Sequence, residues 1–167
     1  QEQGAFTLLF LFYTGFDYLR SMNTTTLISF LNQIHSELSN LQDDYYIIGS
    51  SAIVLAGIPL QAVDDIDILT STRDADSLKS LWHNRKLNDY TPKDGDKFRS
   101  NFGRFIFEGF KVEVMGDLEL NTDGIWQKVR VNNFLRIETE KISLKIPTIA
   151  EQIRILEAFG RPKDLAK

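Results

Sequence analysis

The stretch that decides the fold is residues 45–70, YYIIGSSAIVLAGIPLQAVDDIDILT. An apolar strand runs into a Gly-Ser-Ser turn at 49–51, and a short apolar helix is predicted over residues 52–56. After a loop, a second predicted strand begins with the acidic segment at 64–67. The order of strand, turn, helix and acidic strand suggests phosphate bound at the helix start and a divalent metal bound by the acids.

The acidic strand carries its carboxylates at a spacing of two. Asp65 and Asp67 therefore share one face of the strand, while Ile66 and Ile68 share the other. Asp64 has the parity of the isoleucines and is left out of the pair. Two carboxylates on one face repel each other unless a cation lies between them, and Mg²⁺ or Mn²⁺ prefers such oxygen ligands. The alternative is a solvent-exposed strand end without a ligand.

The Gly-Ser-Ser turn offers a phosphate several groups at once. Gly49 allows the backbone to approach a ligand closely. The helix that follows offers free N–H groups and the positive end of its dipole. Ser50 or Ser51 can add a hydroxyl. An ordinary strand-to-helix turn with a serine cap remains the alternative.

Glu113 is the third candidate acid. It lies in a predicted strand over residues 110–115, on the face opposite the valines. It either faces solvent or, if its strand neighbours the acidic strand, completes a cluster with Asp65 and Asp67. In that cluster it would be a metal ligand or the base that takes a proton from an acceptor hydroxyl. Asp117 is the second choice, but the Gly-Asp pair there predicts a turn.

The remaining patterns predict elements around this centre. They are helices over 26–41 and 75–87, a last helix opened at 147–148 and ended by Gly160, a hairpin of strands 102–107 and 110–115, and extended segments at 126–131 and 142–146. The buried stripe of the last helix is predicted to be Ile149, Ile153, Leu156 and Phe159. Arg99 and Arg104 could meet phosphates, although surface arginines are common.

Length and composition narrow the class of protein. The chain has 167 residues and no cysteine, which predicts one domain over residues 22–167 and excludes disulfides, thiolate zinc and a cysteine nucleophile. The net charge of -4 disfavours a surface that coats nucleic acid. We expect a cytoplasmic protein.

Residues 1–21 are predicted to be an extension of uncertain origin, because Met22 precedes a helix-start signal. The apolar run at 6–12 is far shorter than the ~20 residues of a membrane span. No basic residue precedes it, as a signal peptide would require. We therefore expect no membrane association. An ordered run of this kind has to pack on something, and a homo-oligomer contact is one possibility.

The order of IGSSAIVLAGIP, DDIDIL and KVEVMGD resembles the nucleotidyltransferase superfamily, and more narrowly the minimal nucleotidyltransferases and the aminoglycoside-2″-adenylyltransferase-like proteins. The resemblance spans residues 45–117. It implies an α+β fold of the polymerase β type, with a mixed β-sheet flanked by helices. It also implies magnesium-dependent transfer of a nucleoside monophosphate from an NTP, with ATP as the expected donor. The acceptor is an unknown small molecule, protein or RNA.

The resemblance also assigns roles to the motif residues. The catalytic metal ligands would be Asp65, Asp67 and Glu113. The groups that hold the nucleotide would be Gly49, Ser50, Ser51 and, in the C-terminal segment GRPKDLAK, Lys163.

A different class of function stays open. Many members carry Arg or Thr shortly before the Asp-x-Asp motif, whereas residues 61–64 here read Gln-Ala-Val-Asp. The alternative is therefore a catalytically degenerate nucleotide-binding or regulatory module, for example one half of a two-component toxin–antitoxin-like pair. A haloacid-dehalogenase motif and an EF-hand fit poorly because of Leu69, and the chain looks too short for a nucleotide-sugar glycosyltransferase.

Overall fold

The computed structural model describes residues 24–60, 63, 65–92 and 94–162. The predicted extension at 1–21, with its apolar run, lies outside the described residues, as do Asp64 and Lys163. The described residues form a mixed β-sheet flanked by helices, which confirms the predicted α+β fold.

The element order alternates between helices and strands at first and is mainly β in the second half. The helices are α1 (Thr24–Gln33), α2 (His35–Ser39), α3 (Gly49–Leu55), α4 (Thr72–Leu81) and α5 (Ile149–Phe159), with a 3-10 turn at His83–Arg85. The strands are β1 (Tyr46–Ile48), β2 (Ile66–Thr70), β3 (Phe98–Phe107), β4 (Phe110–Thr122), β5 (Ile125–Lys128), β6 (Phe134–Glu138) and β7 (Ser143–Pro147).

The main sheet has the strand order β1-β2-β4-β3, and β5 pairs with the far end of β4. β2 and β4 are parallel, whereas β1 with β2 and β3 with β4 are antiparallel. β6 and β7 form a separate two-stranded sheet. The parallel pairing sets Asp67 directly beside Glu113, so the sheet topology brings together acids that are distant in the sequence.

Side-chain alternation divides the sheet into two differently used faces. Ile66, Ile68, Val112 and Val114 point to the face covered by α1, α3 and α4, and all four are fully buried. The opposite face carries a smaller apolar cluster that packs against α5. The acids of β2 and β4 point to this second side, where they stay half-buried and can meet a ligand.

A β-bulge in β4 corrects the prediction of a turn at 116–117. The strand continues to Thr122, but the pairing with β3 shifts by one residue, from Asn101 opposite Gly116 to Arg99 opposite Glu119. Asp117 adopts a φ of 49°, the left-handed conformation that a Gly-Asp pair favours in turns and bulges alike. The extra residue reverses the alternation of side chains between the two faces of the sheet. Leu118 and Leu120 therefore lie on the face that packs against α5.

The ends and faces of the helices differ from the sequence predictions. The helix predicted over 26–41 is broken at Ile34, which has a φ of -98° and a ψ of 17°. The helix predicted over 75–87 begins at Thr72, because the Ser71 hydroxyl accepts a hydrogen bond from the Asp74 amide. It ends at Leu81, whose side chain is exposed.

Two of the four residues that were predicted to be buried in α5 are exposed. Ile149 and Ile153 are exposed, and Ile155 is buried beside the correctly predicted Leu156 and Phe159. The buried stripe also includes a polar residue, Gln152, which a search for apolar periodicity passes over. The predicted end at residue 160 is confirmed by a left-handed φ of 58°.

Candidate active site

Three acids converge at one end of the β2–β4 pair. Asp65, Asp67 and Glu113 each offer a carboxylate oxygen, and these oxygens lie within 4.8 Å of one another. Asp65 immediately precedes β2, while Asp67 and Glu113 are paired across the parallel strands. All three side chains are half-buried, so the cluster is partly shielded from water and still accessible. Such spacing suits one shared cation, because the carboxylates would otherwise repel.

Gly49 brings the backbone of the turn into direct contact with this cluster. It has a φ of 68°, a left-handed conformation that glycine adopts without strain. A Cβ atom built at this position would lie 2.5 Å from the Asp67 Oδ2 atom. Backbone conformation and available space therefore both require glycine here. The register explains the proximity, because Ile48 lies opposite Asp67 in the β1–β2 pair.

The two serines of the turn differ in their surroundings. Ser51 is fully buried, and its hydroxyl donates to the Ile48 carbonyl at 3.2 Å. That hydroxyl closes the turn, so Ser51 can offer a ligand its backbone N–H but not its hydroxyl. Ser50 is half-buried in the first turn of α3. Lys163, the remaining predicted nucleotide contact, lies outside the described residues.

Arg104 lies next to the acidic cluster, although the sequence predicted no contact between this arginine and any of the three acids. It lies opposite Glu113 in the β3–β4 pair, and its Nε donates to Glu113 Oε1 at 2.7 Å. Its Nη2 also donates to Oε1 and lies 4.0 Å from Asp65 Oδ2. Only 16% of the Arg104 side chain is exposed. A guanidinium is thus built into the edge of the acidic cluster.

Tyr90 covers Arg104 from the loop before β3. The guanidinium carbon lies 3.4 Å from the centre of the Tyr90 ring, which is close cation–π contact. Tyr90 in turn packs against Phe102, with ring centres 5.8 Å apart. Burial raises the pKa of Tyr90, and the negative charge of Glu113 adds to that shift. The phenol is therefore neutral at physiological pH.

The cluster opens into a cavity of about 830 Å³. This is within the usual range of small-molecule sites. The triad and Gly49 line one part of the cavity. The rest has a largely apolar wall from β3, β4 and α5, which includes Phe98, Phe102, Met115, Leu156 and Phe159. Arg161 also lines the cavity. Its Nη1 lies 3.6 Å from Asp94 Oδ2, and its guanidinium makes a cation–π contact with the Phe98 ring. The loop before β3 also lines the cavity, through Tyr90.

One family model and two solved structures are similar to this chain. The sequence model of the aminoglycoside-2″-adenylyltransferase family matches residues 30–153. The fold is similar to that of a candidate nucleotidyltransferase from Thermotoga maritima, with a TM-score of 0.71, 25% identity, and coverage of 87% of this chain and 92% of the other. An antigenic nucleotidyltransferase-like protein from Paracoccidioides brasiliensis aligns with a TM-score of 0.47 and 16% identity, over 87% of this chain and 75% of the other. No curated protein matches the sequence significantly.

A mixed sheet with acids gathered beside a glycine turn defines the protein as an enzyme of the nucleotidyltransferase class. Such an enzyme takes a nucleotide as substrate. Because the family match covers most of the sequence, the chain belongs to the aminoglycoside-2″-adenylyltransferase family. Within the described residues, no helix combines the length and apolar character needed to cross a bilayer.

Proposed function

We propose that this protein transfers a nucleoside monophosphate from an NTP, with ATP as the expected donor, to a hydroxyl of an acceptor molecule. In the reaction the acceptor oxygen bonds to the α-phosphorus, the bond from that phosphorus to pyrophosphate breaks, and the hydroxyl proton is lost to a base. The observation that carries the proposal is the convergence of Asp65, Asp67 and Glu113 within 4.8 Å, beside the Gly49 turn.

The donor set fits a hard divalent cation. All three groups are carboxylates, which Mg²⁺ and Mn²⁺ prefer over nitrogen or sulfur ligands. Asp67 and Glu113 are held by the backbone pairing of two adjacent strands, and Asp65 immediately precedes the first of them. Mg²⁺ usually keeps several water or phosphate ligands, so three protein carboxylates leave room for a substrate. When bound, the cation would neutralise charge that develops on the transferring phosphate oxygens.

The residues of the turn are proposed to bind the triphosphate. The first turn of α3 has backbone N–H groups without partners inside the helix, and they are suited to phosphate oxygens. Gly49 lets a phosphate approach the backbone next to Asp67. Ser50 is the residue whose hydroxyl is proposed to add a contact, and Ser51 contributes only its amide. Lys163 keeps its proposed role at the phosphates.

Glu113 has two possible tasks that the same geometry allows. One oxygen, Oε1, accepts both hydrogen bonds from Arg104, and the second oxygen is not part of that contact. The second oxygen can ligate a cation, or it can accept the proton of an acceptor hydroxyl. In either task, Arg104 fixes the carboxylate orientation, which is the condition for efficient in-line transfer.

The test is pyrophosphate release from each of the four NTPs with Mg²⁺ or Mn²⁺, in the presence of candidate acceptors. The acceptors are small-molecule hydroxyl compounds including aminoglycosides, proteins and RNA. We expect release only with metal, with a loss of about 1,000-fold in Asp65→Ala and Asp67→Ala, because the acids act on the developing charge. Asp96→Asn, an exposed acid in the loop before β3, is the matched control and should keep wild-type activity.

Two results would contradict the proposal. Full activity in both aspartate variants would remove the assigned roles. Nucleotide binding in calorimetry, without transfer to any acceptor class and without pyrophosphate release, would instead favour the regulatory or degenerate module.

A further inference from the structure

We propose that Arg104 is a resident counter-ion of the acidic cluster. It is a positioning residue that holds Glu113 in place and lowers the affinity of the cluster for divalent cations. The inference deepens the proposed function and rests on it, since it treats the cluster as the metal site.

The contact between Arg104 and Glu113 is directional. The two residues are paired across antiparallel strands, so their backbones fix the approach of the side chains. Nε and Nη2 both donate to Oε1 of Glu113. These two hydrogen bonds restrict the rotation of the Glu113 carboxylate and so orient its other oxygen, Oε2. A guanidinium can hold a carboxylate in this way because its donors lie in one rigid plane, which the ammonium group of lysine lacks.

The charge of Arg104 acts on more than one acid. Its Nη2 lies 4.0 Å from Oδ2 of Asp65, so the guanidinium is within reach of two of the three carboxylates. Because Arg104 carries one positive charge, it offsets one of the negative charges of the three carboxylates. Arginine stays protonated at all physiological pH values. This compensation is therefore permanent and does not depend on a bound ion.

Tyr90 packs against Arg104 at the edge of the cluster. The centre of its phenol ring lies 3.4 Å from the guanidinium carbon, and both residues line the cavity. The ring is itself supported by Phe102. Arg104 is only 16% exposed, so its charge is weakly screened by solvent. The loop residue and the strand residue together keep one positive charge beside Glu113 and Asp65.

Two opposite effects follow when Arg104 is changed. Loss of its charge leaves the cluster more negative, so a divalent cation should bind more tightly. Loss of its forked hydrogen bonds leaves Glu113 without orientation, so catalysis should weaken. A residue with a merely structural role would reduce both quantities together. The opposition between metal affinity and kcat therefore distinguishes a counter-ion from a structural residue.

The experiment measures Mn²⁺ affinity by calorimetry on the full chain, checked by electron paramagnetic resonance, together with kcat in the pyrophosphate assay. For Arg104→Gln we expect Mn²⁺ to bind about fivefold more tightly, the order expected for removal of one partly screened unit charge. We expect kcat to fall about tenfold or more. The melting temperature without metal should also fall, and the increase on adding Mn²⁺ should be larger than in the wild type.

Further variants separate charge from geometry. Arg104→Lys keeps the charge and loses the fork, so Mn²⁺ affinity should stay within about twofold while kcat falls. Tyr90→Phe keeps the stacking ring and should leave Mn²⁺ affinity unchanged, whereas Tyr90→Leu should alter it in the direction of Arg104→Gln. Arg99→Gln is the matched control for Mn²⁺ affinity, which it should leave unchanged. It removes an arginine of the same strand and cavity that lies five residues away, roughly 17 Å at ~3.4 Å per residue, beyond the screening length.

The outcomes are separable from those of the proposed function. If the wild type binds Mn²⁺ and transfers nucleotide, but Arg104→Gln binds Mn²⁺ equally or more weakly, only the counter-ion inference is overturned. If the wild type binds no metal and Arg104→Gln does, the counter-ion inference holds and the metal-dependent function fails. If Arg104→Gln does not fold even with Mn²⁺, the lysine variant decides, and a fivefold loss of its Mn²⁺ affinity overturns the inference.

Discussion

Substitution of Gly49 by alanine should damage the protein in two distinguishable ways. The first is backbone strain, because alanine at a φ of 68° costs about 1–2 kcal/mol. The second is a collision, because the new Cβ would lie 2.5 Å from Asp67 Oδ2. Either the turn or the Asp67 side chain must then move, which costs a further 1–3 kcal/mol or so, as overpacking usually does. We expect about 2–5 kcal/mol less stability and about 100-fold less activity, since the acid that is proposed to bind the metal is displaced.

Gly57 provides a matched control for the backbone part of this cost. It follows the other end of α3 and has a φ of 88°, but a Cβ built there meets nothing within 4 Å. Gly57→Ala should therefore cost only about 1–2 kcal/mol, from strain alone, and leave activity unchanged. Urea denaturation measures both variants, and pyrophosphate release measures their activity.

A double-mutant cycle isolates the collision. In an Asp67→Ala background the obstructing oxygen is gone, so Gly49→Ala should cost no more than Gly57→Ala does in the wild type. Equal costs of the two glycine substitutions in the wild-type background would refute the reasoning, because they would show that Asp67 does not restrict the space at residue 49.

Two further predictions concern acids outside the active site. Asp74 is buried and accepts hydrogen bonds from the backbone amides of Gln42, at 3.1 Å, and of Asp43, at 2.7 Å. Asp74→Ala should cost about 3 kcal/mol in urea denaturation, because it leaves these donors unpaired, and Asp74→Asn should cost less since it keeps one oxygen. The Lys128 ammonium lowers the pKa of Asp117 to about 2, so this acid stabilises the fold above about pH 4 and stops doing so as the pH falls towards 2. Because Asp117 is partly exposed, Asp117→Asn should cost only about 1 kcal/mol at pH 6, and a cost that grows instead of shrinking at pH 2.5 would contradict this.

The acidic cluster was predictable because it depends on rules that act along a single strand. Alternation with a period of two placed Asp65 and Asp67 on one face and Glu113 opposite its neighbouring valines. The only long-range assumption was that the two strands are neighbours, and the parallel pairing of β2 with β4 provides this. The convergence itself is thus explained, while the roles of these acids as metal ligands stay predictions.

Arg104 illustrates a signal that was present in the sequence and not used. The hairpin turn at 108–109 was predicted, and a two-residue turn fixes the pairing of the flanking strands. Phe107 pairs with Phe110, and each step outward then leads to Arg104 opposite Glu113. Counting along the hairpin would have identified this pair. Tyr90 could not be found in the same way, because its position depends on a loop without periodicity.

The errors in the second half of the chain arise where tertiary contacts, and not the local sequence pattern, decide the structure. A pattern of apolar residues does not reveal which side of an element meets the core when polar residues are also buried. Gln152 is buried in α5 while Ile149 and Ile153 are exposed, so hydrophobicity alone selects the wrong stripe. The Gly-Asp pair at 116–117 likewise suits a turn and a bulge equally well, and only the pairing partner decides between them.

The bulge of β4 lets one strand serve two purposes. Before it, the strand contributes Glu113 to the acidic cluster, and after it, Leu118 contributes to the apolar lining of the adjoining cavity. Because the pairing of residues 112–116 with β2 is complete before the bulge, side chains beyond it can be exchanged without rotating the acid. Substitutions beyond the bulge can therefore reshape the cavity while the three acids keep their positions.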